Sequence, residues 1–339
     1  MKGWRLVGNK KLEFFSEEPT ELTEHMVKVK IEKAQLSNLD KMIYDGERAV
    51  ALPLVMGRNA VGVVSRLYDD NSGRLAKMDK VVIESFLPCF DCSACADNRS
   101  QYCENMVELG VNTDGIYQNF VDLSEAVLHK LPDSISMENA LFVGNVAFCI
   151  NILDNLNVKK GQHMAIYSNS KEGVILGQLA SYYQAIPILI SENDKILELA
   201  RKYGVFYTIN SNVKNVSNEV LTITGGRMCS KIIYMANSEY SIKDILECSA
   251  VNGTVCIGGY ASGKTTLLSL SHIIENHLNI IGTYNGYGSY PTAINLISTG
   301  KVSVDFMYGE QVPFDKLDEA LANFPEEDLS GKVKIVTID

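Results

Sequence analysis

The chain has 339 residues, of which 31 are Lys or Arg and 41 are Asp or Glu, so its formal charge is −10. This length suits two ordinary domains, and 46% hydrophobic residues is typical of a globular protein with a large core. An acidic chain without a Lys/Arg run lacks the footprint of a nucleic-acid-binding protein, and no apolar run approaches the ~18 residues that span a bilayer. The N-terminus lacks the apolar segment of a signal peptide, so we expect a cytoplasmic protein with no nucleic-acid or membrane partner.

The first part of the chain is rich in short runs typical of β-strands. Four such runs are "HMVKVKIEKAQL", "VGVVSRLY", "KVVIESF" and "NFVDLSEAVLHKL", which mix β-branched residues with polar alternation. They predict an irregular, mostly antiparallel β domain over residues 1–135.

From residue 136 the pattern changes to alternating strands and helices. "SMENALFVGNVAFCINILDNL" has helical spacing, with Ser136 and Asn139 at its start. Then "HMAIYS", "IPILIS", "VFYTIN", "SKIIYMA" and "GTVCIGG" are predicted as buried strands, and "EGVILGQLASYYQA" and "NDKILELARKYG" as helices. This alternation predicts a parallel sheet with helices on both faces over residues 136–285. The remainder, 286–339, predicts two helices, "YPTAINLISTG" and "DKLDEALANF", and a closing strand, "GKVKIVTI".

Four of the eight cysteines form a cluster with the spacing C-x2-C-x2-C-x7-C: Cys89, Cys92, Cys95 and Cys103. Four thiolates held by short loops suit a closed, tetrahedral Zn(II) site that shapes a loop and leaves no position open for substrate. Four free thiols and an iron–sulfur cluster are the alternatives. The other four cysteines lie singly in apolar surroundings and are predicted to be core residues.

The cysteine loop and the order of the segments around it resemble the medium-chain dehydrogenase/reductase superfamily, in particular its zinc-containing alcohol and polyol dehydrogenases. The likeness includes "DGIYQNFVDLSEAVLHKLPDSISMENA", "LNVKKGQHMAIYS" and "LECSAVNGTVCIGGY" and extends over nearly the whole chain. It implies a GroES-like β domain formed by residues 1–135 and completed by the return segment 286–339, around a central Rossmann domain. Small-molecule substrates and a homo-oligomer, a dimer or a tetramer, are also implied.

The resemblance places three ligands of a catalytic zinc at residues that cannot bind the metal here. The positions correspond to Ser37, Arg58 and, for the third ligand, about Val143. Zinc ligands must offer thiolate, imidazole or carboxylate lone pairs, so we expect no catalytic zinc.

A permanent cation at Arg58 suggests how a developing negative charge would be stabilised without zinc. We expect Arg58 to pair with Asp40, which stands where the family keeps a carboxylate just outside the zinc ligands, while Ser37 relays a proton. In the alternative interpretation Arg58 only fills the empty pocket and is paired for stability.

The dinucleotide fingerprint G-x-G-x-x-G is reduced to its third glycine. The matching stretch contains Ser168, Ser170, Lys171 and Gly173, and Glu172 adds a negative charge near the predicted helix N-terminus. Ser191 stands where NAD-dependent members of the family carry a ribose-binding acid. The expected cofactor is NADP or NAD, with NADP slightly favoured, and a chain without a cofactor remains the alternative.

The stretch "GGYASGKTTLL" matches the phosphate-loop pattern through Gly258, Gly263, Lys264 and Thr265. Phosphate loops normally follow the first strand of their domain, whereas this one comes late, and no strand after it ends in a convincing acidic partner for magnesium. We therefore interpret Gly258 as part of a cofactor-side turn and reject an ATPase.

Two functions follow. The first is a zinc-independent NAD(P)-dependent oxidoreductase acting on an alcohol or carbonyl, with sugar or polyol derivatives among the candidates. The second is a catalytically silent binding or scaffold protein that keeps the fold and the structural zinc.

Overall fold

The fold was analysed in a computed structural model that describes residues 1–18, 21–68, 72–236, 240, 242–260, 268–325 and 332–338. Within these residues the strands are, in chain order, β1 (Lys2–Gly8), β2 (Lys11–Ser16), β3 (Met26–Leu36), β4 (Leu54–Val55), β5 (Ala60–Leu67), β6 (Lys80–Ile83), β7 (Phe86–Leu87), β8 (Val107–Glu108), β9 (Phe120–Ser124), β10 (Leu128–Lys130), β11 (His163–Tyr167), β12 (Ile186–Ser191), β13 (Tyr207–Asn210), β14 (Cys229–Met235), β15 (Ser249–Gly258), β16 (Asn279–Thr283), β17 (Tyr308–Pro313) and β18 (Val333–Thr337).

The α-helices in the same residues are α1 (Asn38–Asp45), α2 (Ser93–Ala96), α3 (Met137–Ala140), α4 (Val143–Asn155), α5 (Lys171–Tyr182), α6 (Asp194–Lys202), α7 (Val216–Ile223), α8 (Ile242–Glu247), α9 (Leu270–Glu275), α10 (Tyr290–Ser298) and α11 (Leu317–Ala322). Short 3₁₀ helices cover Ser100–Tyr102, Glu125–Val127, Asp305–Met307 and Phe314–Lys316.

The central sheet is parallel, with the strand order β13-β12-β11-β14-β15-β16. Numbered along the chain this order is 3-2-1-4-5-6, which is the dinucleotide-binding arrangement of a doubly wound domain. Its strands are continuous apolar runs because both faces are covered, and in β12 every residue from Pro187 to Ser191 is buried. The order reverses between β11 and β14, so the crevice at the carboxyl ends of the strands is the expected ligand site.

The second sheet belongs to the β domain and joins the two ends of the chain. Its order is β10-β6-β5-β3-β18-β17, with β9 also paired to β3. The late strand β18 is antiparallel to β3, where Val336 pairs with Ala34. A smaller sheet, β2-β1-β4, and the two-stranded pair β7-β8 complete this part. The C-terminal segment therefore returns to the sheet that the N-terminal residues begin.

One predicted helix is in fact two. The run after Ser136 forms α3, capped by the Ser136 side chain on the Asn139 amide, and then α4. The break falls at Phe142, whose backbone (φ −95°, ψ 5°) leaves the helical region. This turn sets the direction of α4, which carries Val143, Gly144 and Asn145 past the β domain.

Candidate functional site

The four-cysteine loop folds into a site that fits a tetrahedral metal. The ligand atoms of Cys89, Cys92, Cys95 and Cys103 all lie within 4.8 Å of one another. The Cys89 amide points at the Cys103 Sγ (3.2 Å), and the Cys92 amide points at the Cys89 Sγ (3.4 Å). Amide hydrogen bonds from Asp91 and Cys92 lower the pKa of the Cys89 thiol to about 6, whereas burial raises the pKa of the Cys103 thiol to about 11, so the support for a metal rests on the geometry of the four sulfur atoms. Among the described residues this is the one group of three or more His, Cys, Asp or Glu side chains placed to hold a metal.

The remaining cysteines are core residues, as the sequence predicts. Cys149, Cys229, Cys248 and Cys256 are each 0% exposed, and burial raises the pKa of all four thiols. They are structural rather than reactive groups.

Ser37 and Asp40 form the cap of α1. Ser37 is the N-cap residue, its hydroxyl and amide both donate to Asp40 Oδ2, and the Asp40 amide donates back to the Ser37 hydroxyl. Asp40 is 1% exposed, and burial raises the pKa of its carboxyl against the opposing effect of these hydrogen bonds. Both side chains are thus engaged in starting a helix.

Arg58 does not form the predicted ion pair with Asp40. Its Nη1 instead lies 3.0 Å from Glu108 Oε1, and the guanidinium stands 5.2 Å from the centre of the Phe86 ring. Glu108 ends β8, which pairs antiparallel with β7, and its carboxylate is the ion-pair partner of Arg58 in the described residues. Tyr284, just beyond β16, donates its hydroxyl to the same carboxylate at 2.7–2.8 Å. Sequence analysis missed Glu108 and Tyr284 because neither belongs to a motif.

The position where the resemblance predicts a third zinc ligand is closed by packing. Val143 is 0% exposed and belongs to the core. A Cβ on neighbouring Gly144 would lie 2.8 Å from both Asn59 Oδ1 and Tyr290 Oη. Glycine is therefore required here for close approach, and this stretch presents no metal-binding side chain.

A chain of hydrogen bonds links the β domain to the nucleotide loop. Gln35 Nε2 in β3 donates to Asn145 Oδ1 in α4 at 2.8 Å, and Asn145 Nδ2 donates to Glu172 Oε1 at 3.2 Å. Asn59 Nδ2 joins from the other side with a long contact of 3.5 Å to Gln35 Oε1. Gln35, Asn145 and Glu172 lie on three different elements, and Asn59 lies just before β5. No spacing along the sequence indicates that these four residues meet.

The dinucleotide fingerprint, which keeps only its third glycine, folds as a strand, a turn and a helix. Ser168 follows β11, Ser170 precedes α5, and their hydroxyl oxygens are 3.1 Å apart. A Cβ at Gly173 would lie 2.8 Å from the Ser168 Cβ, so this glycine allows the helix to pack on the strand.

The carboxylate of Glu172 turns back onto this loop. It accepts from Ser170 Oγ at 2.7 Å and lies 3.4 Å from Lys171 Nζ. Burial acts to raise the pKa of Glu172, but the charge of Lys171 and the hydrogen bonds from Ser170 and Asn145 outweigh it, and the pKa is lowered. Glu172 is therefore anionic at neutral pH.

Ser191 ends β12 with a buried hydroxyl. It is 0% exposed and donates to Asn169 Oδ1 at 2.9 Å. The same amide oxygen accepts from the Tyr240 hydroxyl at 2.7 Å. Asn169 thus ties the ends of β11 and β12 together, and the Ser191 side chain serves that contact.

Gly258 ends β15, where a Cβ would lie 2.8 Å from Ile152 Cδ1. Gly259 follows with φ +98° and donates its amide to the Thr283 carbonyl at 3.1 Å. Gly263, Lys264 and Thr265 of the phosphate-loop pattern lie outside the described residues.

Comparisons with known proteins agree with this architecture. Residues 23–133 match the alcohol dehydrogenase GroES-like domain, and residues 173–299 match the zinc-binding dehydrogenase family. An uncharacterized zinc-type alcohol dehydrogenase-like protein of Haemophilus influenzae is 23% identical over 90% of each chain, and D-xylulose reductase A of Aspergillus oryzae is 25% identical over 81% of this chain and 78% of its own. A zinc-binding dehydrogenase structure from Sinorhizobium meliloti, bound to NADP, superimposes with a TM-score of 0.90 at 20% identity over 99% of this chain and 98% of its own.

The chain belongs to the medium-chain dehydrogenase/reductase superfamily and to its alcohol dehydrogenase-like NAD(P)-dependent oxidoreductases. Two features of the nucleotide loop fit such a cofactor: the backbone amides at the N-terminus of α5 and the positive charge of Lys171. The side chain of the N-cap residue Ser170 does not hydrogen-bond to these amides. Glu172 is the one group in this loop that opposes an anionic pyrophosphate. In the described part of the chain, no helix has the length and apolar character needed to cross a membrane.

Proposed function

We propose that the protein transfers hydride between NAD(P)(H) and an alcohol or carbonyl substrate without a catalytic zinc ion. Arg58, at the position of a zinc-binding histidine in the family, supplies the positive charge. Its pairing with Glu108 at 3.0 Å, beside the carboxyl ends of β15 and β16, is the observation that carries the proposal. A D-xylulose reductase among the relatives makes a sugar or polyol the first substrate class to test.

A nicotinamide bound in the cleft would supply or accept the hydride, and the side chains of the cleft would stabilise the charge on the substrate oxygen. Glu108 engages Nη1 of Arg58 and so orients the guanidinium, which leaves other N–H groups to donate to that oxygen. A fixed cation in a water-poor cleft stabilises an alkoxide more than it stabilises a neutral carbonyl or hydroxyl. The Tyr284 hydroxyl, already hydrogen-bonded to Glu108, is the second polar group at this place.

Ser37 and Asp40 are assigned to holding α1 in place rather than to proton transfer. Their mutual hydrogen bonds satisfy the helix N-terminus, and the charge of Arg58 also acts on Asp40. Loss of this cap would displace the loop that follows α1 without removing a reacting group.

The absence of zinc from the chemistry is supported by the three residues at the ligand positions. A capping serine, an ion-paired arginine and a core valine offer no thiolate, imidazole or carboxylate to a metal. Metal analysis of freshly purified, unchelated protein should give close to one zinc per chain. A second equivalent lost together with activity would overturn the zinc-free assignment.

Nucleotide binding separates an enzyme from a silent relative. Calorimetric titration with NADPH and NADH should show binding of at least one, and a polyol and ketose panel should then give nucleotide-dependent turnover that a chelator leaves unchanged. Failure of both nucleotides to bind would refute the proposal and favour a binding or scaffold protein.

We also propose a homo-oligomer. The strand β16 pairs with β15 alone among the described residues, and nearby Val251, Leu270 and Ile274 are 67–70% exposed. An open strand edge beside exposed apolar side chains suits a contact with a second copy. Light scattering after size-exclusion chromatography should give a mass of at least twice 37.4 kDa, and a monomeric mass would exclude it.

A further inference from the structure

A second arginine, Arg48, reaches from the β domain to the parallel sheet. It follows α1, and its backbone amide is held by the Met42 carbonyl at 3.1 Å. Its Nη1 donates to the Tyr260 hydroxyl at 3.1 Å, and its guanidinium carbon lies 4.8 Å from the centre of the Tyr260 ring. Tyr260 comes two residues after β15, at the carboxyl end of the sheet. Arg48 therefore stands in the interdomain crevice.

The charge of Arg48 is not balanced. Arg58 has Glu108 as its carboxylate, whereas Arg48 has no carboxylate within ion-pair distance among the described residues. The Nε atoms of both arginines are buried, and neither has a hydrogen-bond partner among the described residues. Glu108 is thus the one carboxylate within ion-pair distance of these two guanidinium groups in the described residues, although the whole chain carries −10. Asp40, on which the charge of Arg58 also acts, is engaged in the cap of α1, and burial raises the pKa of its carboxyl.

Both arginines act on the same part of the cleft. Burial raises the pKa of the Tyr284 hydroxyl and Glu108 adds to the rise, while the charges of Arg58 and Arg48 both oppose it. Glu108 likewise helps to raise the pKa of Arg48. Tyr260 and Tyr284 follow the carboxyl ends of the neighbouring strands β15 and β16, so both guanidinium groups stand where a substrate would meet the nicotinamide end of a cofactor.

The 2′-phosphate of NADP does not explain this charge. That group is bound near the end of the second strand of a Rossmann domain, which is β12 here, at Ser191. Arg48 stands instead at the end of β15, on the far side of β11 and β14 in the sheet. An uncompensated arginine there points to an anion on the substrate itself.

We propose that the substrate carries a phosphate monoester or a carboxylate, which Arg48 binds together with the Tyr260 hydroxyl, while Arg58 faces the reacting oxygen. This inference rests on the proposed function of the cleft. The planar guanidinium presents paired N–H donors that match either anion, and a hydrogen bond to Tyr260 fixes its orientation. Phosphate and carboxylate share this recognition, so the experiment must distinguish them.

Calorimetry on the full chain with NADPH or NADH present provides the test. The probes are neutral glycerol, glycerol 3-phosphate, which adds a phosphate monoester, and glycerate, in which a carboxylate replaces one hydroxymethyl group. We expect one anionic probe to bind at least tenfold more tightly than glycerol, and the preferred probe identifies phosphate or carboxylate. Equal binding of all three, or binding of none, would overturn the inference.

Arg48→Gln should lower the affinity for the preferred anion by about 10- to 100-fold, the effect of one charged hydrogen-bonding group. Arg48→Lys should recover part of the loss. Arg66→Gln removes the same charge from an exposed position in β5 and should leave the affinity unchanged. Tyr260→Phe keeps the ring but removes the hydroxyl, and it should weaken binding of the anion several-fold. This variant tests the anion site even if Arg48→Gln does not fold. Anion binding that is insensitive to Arg48 and Tyr260 would contradict the assignment.

Turnover measurements distinguish a failure of the anion site from a failure of the proposed oxidoreductase function. Nucleotide-dependent turnover of neutral polyols without anion preference would sustain the oxidoreductase and refute the anion site. Anion binding through Arg48 without turnover of any substrate would refute the proposed chemistry alone.

Discussion

Replacing Arg58 by Gln tests whether the arginine serves chemistry or stability. The guanidinium and the Glu108 carboxylate are 3.0 Å apart, with side chains only 19% and 7% exposed. At an effective dielectric constant near 20, their gross attraction is about 5 kcal/mol. Breaking such a pair by removing one partner costs ~3–5 kcal/mol, and we expect the lower end because Tyr284 still donates to Glu108.

If Arg58 also stabilises the substrate oxygen, the same variant should lose turnover by ~10²–10³-fold while nucleotide binding stays close to normal. Steady-state kinetics and chemical unfolding on the one protein measure both effects. Arg58→Gln combined with Glu108→Gln removes the orphaned carboxylate, so stability should largely return while turnover does not.

Recovery of turnover together with stability in the double variant would show that the arginine is only structural. A stable and fully active Arg58→Gln protein would refute both roles. Arg66→Gln, exposed in β5, controls for the change in net charge.

Three further predictions concern the metal loop and the nucleotide loop. Cys95→Ser should abolish zinc binding and lower the unfolding midpoint without changing nucleotide affinity; retained zinc in metal analysis would contradict the site. Glu172→Gln should raise dinucleotide affinity about two- to fivefold in calorimetry, since it removes a charge opposing the pyrophosphate. Because the folded-state pKa of Glu172 is lowered from 4.5, its charge stabilises the fold above that pH, so the stability deficit of the variant should disappear as pH falls below 4.5; a deficit that persists in acid would contradict this. Gly173→Ala should cost ~1–3 kcal/mol in denaturant unfolding because its Cβ meets Ser168 at 2.8 Å, and an unchanged midpoint would show that the strand and helix can separate.

Local spacing was sufficient to predict several features of this protein. The four-cysteine loop is closed by residues only a few positions apart, so its geometry follows from the spacing. Buried strand runs alternating with amphipathic helices predicted the parallel sheet, whereas the altered zinc-ligand positions at Ser37, Arg58 and Val143 were inferred from the resemblance to the dehydrogenase family. The division at residues 135 and 285, and the roles of the individual site residues, stay predictions.

Only the tertiary structure decided which charges meet in the cleft. The sequence suggested Asp40 as the partner of Arg58, but Asp40 is used by the cap of α1, and Glu108 lies at the end of β8, 50 residues after Arg58. Arg48 and Tyr260 are 212 residues apart, and Gln35 and Asn145 are 110 apart. Such contacts depend on how two domains pack, because distance and desolvation determine which side chains pair across a cleft. A local pattern of residues specifies neither the distance nor the desolvation.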